Sequence, residues 1–199
     1  MKKLINALAI ATLILINSTS FAYNSDPKIF IAELVDDAIK TLGNKSVSKA
    51  DKAKKIETIA LENVDIDAIA MYTLGSIRKT LDQNTLKKYQ ELFKKYLLKS
   101  LTSRFTDYSN SKFEVISADQ KSETTTIVLS KILESSSQPE IKIEWRVFTK
   151  DPTKPLIRDL RVEGLSIART QKEEFGSILN SNNNDINALL TKLEEFVKN

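Results

Sequence analysis

Ile141-Lys142-Ile143-Glu144-Trp145-Arg146-Val147 is the stretch on which the fold class turns. Ile141, Ile143, Trp145 and Val147 take every second position, with charged residues between them, which is the period of a β-strand that buries one face. The next patterned segment, Arg158-Asp159-Leu160-Arg161-Val162-Glu163-Gly164-Leu165-Ser166, continues as a strand and is expected to leave the sheet at Gly164. Working outward, Phe113 to Ile116, Thr124 to Leu133, Glu140 to Thr149 and Leu156 to Glu163 read as strands, about four in number. Ser135 to Pro139 and Lys150 to Pro155 are short polar connections containing proline, so neighbouring strands should pair antiparallel.

On either side of this block the period changes to that of a helix. Ile31, Leu34, Val35, Ala38, Ile39 and Leu42 form a stripe on a helix from Pro27 that stops at Gly43. Ser48 and Asp51 resemble a capping box opening a helix to about Leu61. A third helix runs from Asp65 to Leu74, with Gly75 as its stop. The longest, from about Thr85 to Tyr108, carries Leu86, Tyr89, Phe93, Tyr96, Leu97, Leu101, Phe105 and Tyr108 on one side. Two more span Ala168 to Leu179 and Ile186 to Val197. Helices, then strands, then helices predict an α+β domain in which helices cover one face of a twisted antiparallel sheet.

The N-terminal 22 residues have a different character. Lys2 and Lys3 precede an apolar run from Leu4 to Ile16 and then Ser20-Phe21-Ala22, the pattern of an export signal cleaved after a small-x-small site. The run is shorter than the ~20 residues a membrane-spanning helix needs. The expected organisation is a signal peptide at 1–22, cleaved near Ala22, and one domain at 23–199 acting outside the inner membrane. There are no cysteines, so neither disulfides nor a lipidated N-terminal cysteine can form.

Composition excludes several chemistries. A net charge of +4, lowered further by loss of Lys2 and Lys3, is not the balance of a nucleic-acid binder. Lys49, Lys52, Lys54 and Lys55 alternate with acids and read as a solvated helix face. Gly164-Leu165-Ser166-Ile167-Ala168 has an outline of a nucleophile elbow, but the chain has no histidine to act as base. Ser166 is better read as a cap at a strand-to-helix junction. Asp65 and Asp67 lie two apart and do not share a helix face, so Asp65 reads as an N-cap rather than a metal ligand. The four glycines are too dispersed for a phosphate loop. No catalytic residue, metal or cofactor is expected.

The ending Glu144-Trp145, a turn, then Asp159 through Glu163-Gly164-Leu165-Ser166 resembles the MlaC-type periplasmic phospholipid-binding proteins, also called the toluene-tolerance auxiliary family. Val64 to Gly75, Tyr89 to Leu98, Glu174-Phe175 and Asp185 to Leu190 are similar to its helical signatures, in the same order. Pro155 and Arg158 stand where the family usually has Trp and Tyr, and Gln171 with Lys172 replaces a common Tyr-Arg pair. The resemblance implies an apolar pocket between sheet and helices that holds phospholipid acyl chains. Its candidate lining is Phe93, Leu97, Leu101 and Phe105 from the long helix, facing Val115, Ile127, Leu129, Ile141, Ile143, Trp145 and Val147 from the strands. The same stripes would serve equally as a packed core. The family further implies a monomeric shuttle between an outer-membrane lipoprotein complex and an inner-membrane ABC transporter, maintaining outer-membrane lipid asymmetry. Arg158, Arg161, Arg169 and Lys172 are the candidate docking residues. Rival readings are a carrier of another apolar molecule and a protein interaction module with a filled core.

Overall fold

The computed structural model describes residues 23–104, 112–134 and 139–198. The signal segment, Phe105 with the expected end of the long helix, and most of the turn after Glu134 lie outside them. In chain order the elements are α1 (Pro27–Gly43), α2 (Lys49–Asn63), α3 (Ile66–Thr73), a 3-10 turn (Ile77–Lys79), α4 (Gln83–Arg104), β1 (Phe113–Ser122), β2 (Thr125–Ile132), β3 (Ile141–Phe148), β4 (Leu156–Val162), β5 (Leu165–Ser166), α5 (Ile167–Ser181) and α6 (Ile186–Lys198). The strands form one antiparallel sheet in the order β1-β2-β3-β4-β5. The protein is therefore α+β.

Helix boundaries follow their caps. The Asp26 carboxylate accepts from the Lys28 and Ile29 amides ahead of Pro27, Ser48 accepts from Asp51, Asp65 from Ala68 and Ser166 from Arg169. Each satisfies an amide that the first helical turn leaves without a partner. Gly75, at φ +61°, stands where α3 ends.

Two parts of the sheet exceed the expectation. β1 runs on to Ser122, past the end of its apolar alternation, because its backbone keeps pairing with β2 through Gln120↔Thr126 and Ser122↔Thr125. A ladder needs amides and carbonyls, and its outer strand need not carry apolar side chains. The chain also does not leave the sheet at Gly164. Glu163 and Gly164 have φ of +49° and +81°, and the two-residue turn they form folds Leu165 back against Val162.

The buried residues fall into two groups. One lies among helices α3 to α6 and centres on Ala70, Tyr89, Phe93, Phe175, Leu189 and Leu193. The other lies between α1, α2 and the inner face of the sheet, with Phe30, Ile31, Leu34, Ile56, Val128, Val147 and Ile157. Val64 packs against both. The apolar stripe of α4 is thus spent on other helices. Tyr89, Phe93, Tyr96 and Phe175 stack with ring centroids 5.8–6.4 Å apart, and the Tyr89 hydroxyl meets Thr73 Oγ1 at 2.7 Å.

Candidate functional site

The pairing register sorts the strand residues by face. Ile141, Ile143, Trp145 and Val147 stand opposite Ile132, Ser130, Val128 and Thr126, and Val115 stands opposite Ser130 on the other side of β2. These point toward α1 and α2. Val147 is fully buried and Ile143 nearly so. Trp145 is half-buried; its indole N–H donates to Ser130 Oγ at 2.8 Å, and its ring meets Phe113 edge-on at 6.3 Å.

Ile127 and Leu129 do not share that face. They pair with Arg146 and Glu144, on the side where Lys131 bonds Glu140 at 3.2 Å and Arg161 bonds Glu144 at 3.5 Å. One position of register decides it, since successive strand side chains point to opposite faces. Both are half-buried among long charged side chains rather than in the space between sheet and helices.

The expected wall of α4 opposite β3 is also divided. Phe93 and Leu97 belong to the helical group, away from Val147 and Trp145, and Leu101 is partly buried about a turn further on. Periodicity shows which face of a helix is buried but not what covers it. Here α5 and α6 have apolar faces of their own to bury and take the α4 stripe, while α1 and α2 take the sheet.

What opens to the surface is the sheet group. Between α1 and the edge strand β1 lies a cleft of about 840 Å³, within the ~300–1,000 Å³ range of ligand sites. Ile29, Ala32, Ile39, Phe113, Val115 and Leu133 give it apolar walls, and Lys28, Asp36, Lys112 and Glu114 stand exposed around it. Phe113 and Val115 also pack on the sheet core, so the cleft continues that core to the surface. Of the expected lining among the described residues, only Val115 borders this cleft directly; Trp145 lies behind Phe113. Ile29 and Ala32 went unread because α1 was assigned a single stripe, of which only Ile39 reaches the cleft. Ile29, Ala32, Asp36 and Ile39, spaced three, four and three apart, form a second row beside it.

Among the described residues no cluster of His, Cys, Asp and Glu could hold a metal, and every buried side-chain nitrogen or oxygen has a hydrogen-bond partner. Ser166 Oγ donates to Asp159 Oδ2 at 2.7 Å while accepting from the Arg169 amide at 3.1 Å. It caps α5. Burial is the main cause that raises the Tyr89 hydroxyl above its ordinary pKa; burial also raises that of Tyr23, aided by its hydrogen bond to Asp37. Neither hydroxyl is poised as a base.

The four basic residues have different fates. The Arg158 guanidinium lies 3.2 Å over the Phe148 ring and bonds Asp65 at 2.7 Å, which ties it into the fold. Arg161 shares an exposed pair with Glu144. Lys172 sits 5.0 Å over the Tyr72 ring, and Arg169 is exposed. The last three present charge outward, and Leu165 and Ile167 at the β5–α5 junction are exposed as well.

The site is thus an apolar cleft that opens from a sheet lined by helices on one side. Residues 32–195 match the family described as MlaC protein. The chain belongs to the MlaC family. The fold is also that of a solved structure, a phospholipid-binding protein from Ralstonia solanacearum in complex with a phospholipid. The two superpose with a TM-score of 0.70 at 17% sequence identity, over 84% of this chain and 94% of that one. No curated protein matches the chain. In this MlaC-family chain the Gln171 side chain accepts from the Tyr96 hydroxyl at 2.5 Å, joining α5 to α4.

Proposed function

We propose that this MlaC-family protein is a periplasmic phospholipid carrier rather than an enzyme. The observation that carries the reading is the apolar cleft between α1 and β1, continuous with the sheet core, in a chain whose family fold is shared with a phospholipid-bound protein. A chain of about 16 carbons at ~0.8 kcal/mol per methylene represents roughly 13 kcal/mol of transfer free energy, and a diacyl lipid about twice that. Free lipid crosses water too slowly to be useful, and enclosing its chains lowers the barrier with no bond made or broken.

In this reading the carrier runs as a monomer between an outer-membrane lipoprotein complex and an inner-membrane ABC transporter, whose ATPase supplies the energy, and so maintains outer-membrane lipid asymmetry. Arg161, Arg169 and Lys172, beside the exposed Leu165 and Ile167, form the docking edge. The test is to purify the protein from a Gram-negative host, extract it with organic solvent and identify what is released by mass spectrometry. Diacyl phospholipid at up to one per protein is expected. A sterol or quinone would make it a carrier of another class, and an empty protein that takes up nothing from liposomes would overturn the carrier reading.

A further inference from the structure

The charge balance around the cleft indicates which part of a lipid the protein recognises, an inference that rests on the carrier reading above. Four ionisable side chains border the cleft. Asp36 is paired with Lys40 at 2.6 Å, and Glu114 lies 3.8 Å from Lys131, which it shares with Glu140 at 3.2 Å, so both carboxylates already have a cation partner outside the lining. The pairing holds the Lys40 ammonium above its usual pKa. Lys28 and Lys112 take part in no ion pair among the described residues. The cleft therefore presents two cations that are in no ion pair among the described residues beside an apolar interior.

Lys28 is also placed. It lies in the first turn of α1, and its Nζ donates to the Ile116 carbonyl at 3.2 Å. Ile116 is skipped in the register between Val115 and Ser117, so the bulge leaves this residue out of the ladder. One of three ammonium donors is used to hold Lys28 across from α1 to β1, and two stay available. Lys112 stands at the entry to β1, its backbone fixed by the Leu133 amide at 2.9 Å. We propose that Lys28, assisted by Lys112, binds the phosphate of a lipid headgroup at the cleft, so that the protein selects phosphate-bearing lipids over neutral diacylglycerol. A lysine acts here as a point charge, holding the phosphate common to many headgroups without reading the alcohol beyond it.

The experiment offers the full chain vesicles of phosphatidylglycerol doped with diacylglycerol of the same acyl chains. The bound lipids are then quantified by mass spectrometry relative to the vesicle composition. The wild type should enrich phosphatidylglycerol about tenfold, the factor set by one charge-assisted hydrogen bond, and less at high salt. The Lys28→Gln, Lys112→Gln variant should bring the ratio near one while still carrying diacylglycerol, and Lys121→Gln, on the same strand but outside the cleft, should change nothing. An unchanged ratio in the double variant, or a ratio of one in the wild type, overturns the headgroup assignment and leaves the carrier reading standing. Uptake of neither lipid overturns both. Inorganic phosphate at millimolar concentration should displace no lipid; displacement would mark a free-anion site instead.

Discussion

The two cores of this protein bury similar side chains to different ends. The helical core of α3 to α6 is closed, with aromatic rings from α4 and α5 in mutual contact and Tyr89 and Phe93 essentially inaccessible. The core under the sheet is closed at Val128 and Val147 but grades outward through Trp145 and Phe113 into the cleft beside α1. One region has its centre filled by the chain's own side chains. In the other, the edge strand and the second row of α1 leave apolar surface for which the described residues supply no partner. The difference separates stability from cargo: the closed core should hold the fold together, and the open one should exchange its contacts for a ligand.

The largest effect expected from this contrast is on stability. Phe93→Ala should cost about 3–5 kcal/mol in urea unfolding, as for a large aromatic removed from a filled core. Phe113→Ala, at the half-exposed cleft, should cost far less while lowering lipid retention. Equal costs would break the distinction between the cores. Next comes a matched pair on the sheet. Val115→Asp should abolish lipid retention with the far-UV circular dichroism unchanged, because a carboxylate facing hydrocarbon must be desolvated, whereas Ile127→Asp should retain lipid normally. Lipid loss from the second variant would mean that the charged face of the sheet, not the α1 side, meets the cargo.

A smaller effect probes the closed core from within. Tyr89→Phe removes one hydrogen bond but leaves Thr73 Oγ1 donating to the Ala70 carbonyl at 2.8 Å, so the loss in unfolding free energy should be about 1 kcal/mol. The smallest concerns the start of α4. Hydrogen bonds from the Thr85 amide and hydroxyl hold the Asp82 carboxyl below the usual carboxylate range. Folding therefore favours the ionised form, so its stabilisation is full above about pH 4 and fades as pH falls through the lower folded value. The melting temperature of the wild type should exceed that of Asp82→Ala at neutral pH, with the gap narrowing in acid. A gap that widens in acid would contradict this sign.

The class of the fold was legible because its evidence is local. Alternation in Ile141 to Val147, the caps at Ser48, Asp65 and Ser166, and the stop at Gly75 each depend on a few neighbouring residues. The partners of each face were not legible, because they depend on residues far apart in sequence. Nothing in the spacing of Phe93 and Leu97 distinguishes Phe175 and Leu189 as neighbours from Trp145. Ile127 and Leu129 misled for a related reason: in the apolar run from Ile127 to Leu129 only the register with β3 shows that Val128 alone points inward. The cleft combines both difficulties, since α1 and β1 come together across nearly half of the domain's length and the second apolar row of α1 is interrupted by Asp36. Arg158 looked like surface charge until its carboxylate partner, Asp65, proved to come from the other core's helix α3.

Trp145 offers the most direct test of the claim that lipid enters the open core. It is the only tryptophan in the chain, it stands on the sheet face beneath α1 and α2, and it touches the Phe113 that lines the cleft. The protein should be loaded with phosphatidylglycerol whose acyl chains carry bromine, a contact quencher of indole emission, and its fluorescence followed against lipid bound per protein. Quenching should grow in proportion to occupancy and be absent with the unbrominated lipid. Full occupancy by brominated lipid with undiminished Trp145 emission would place the acyl chains away from the sheet core and contradict the account.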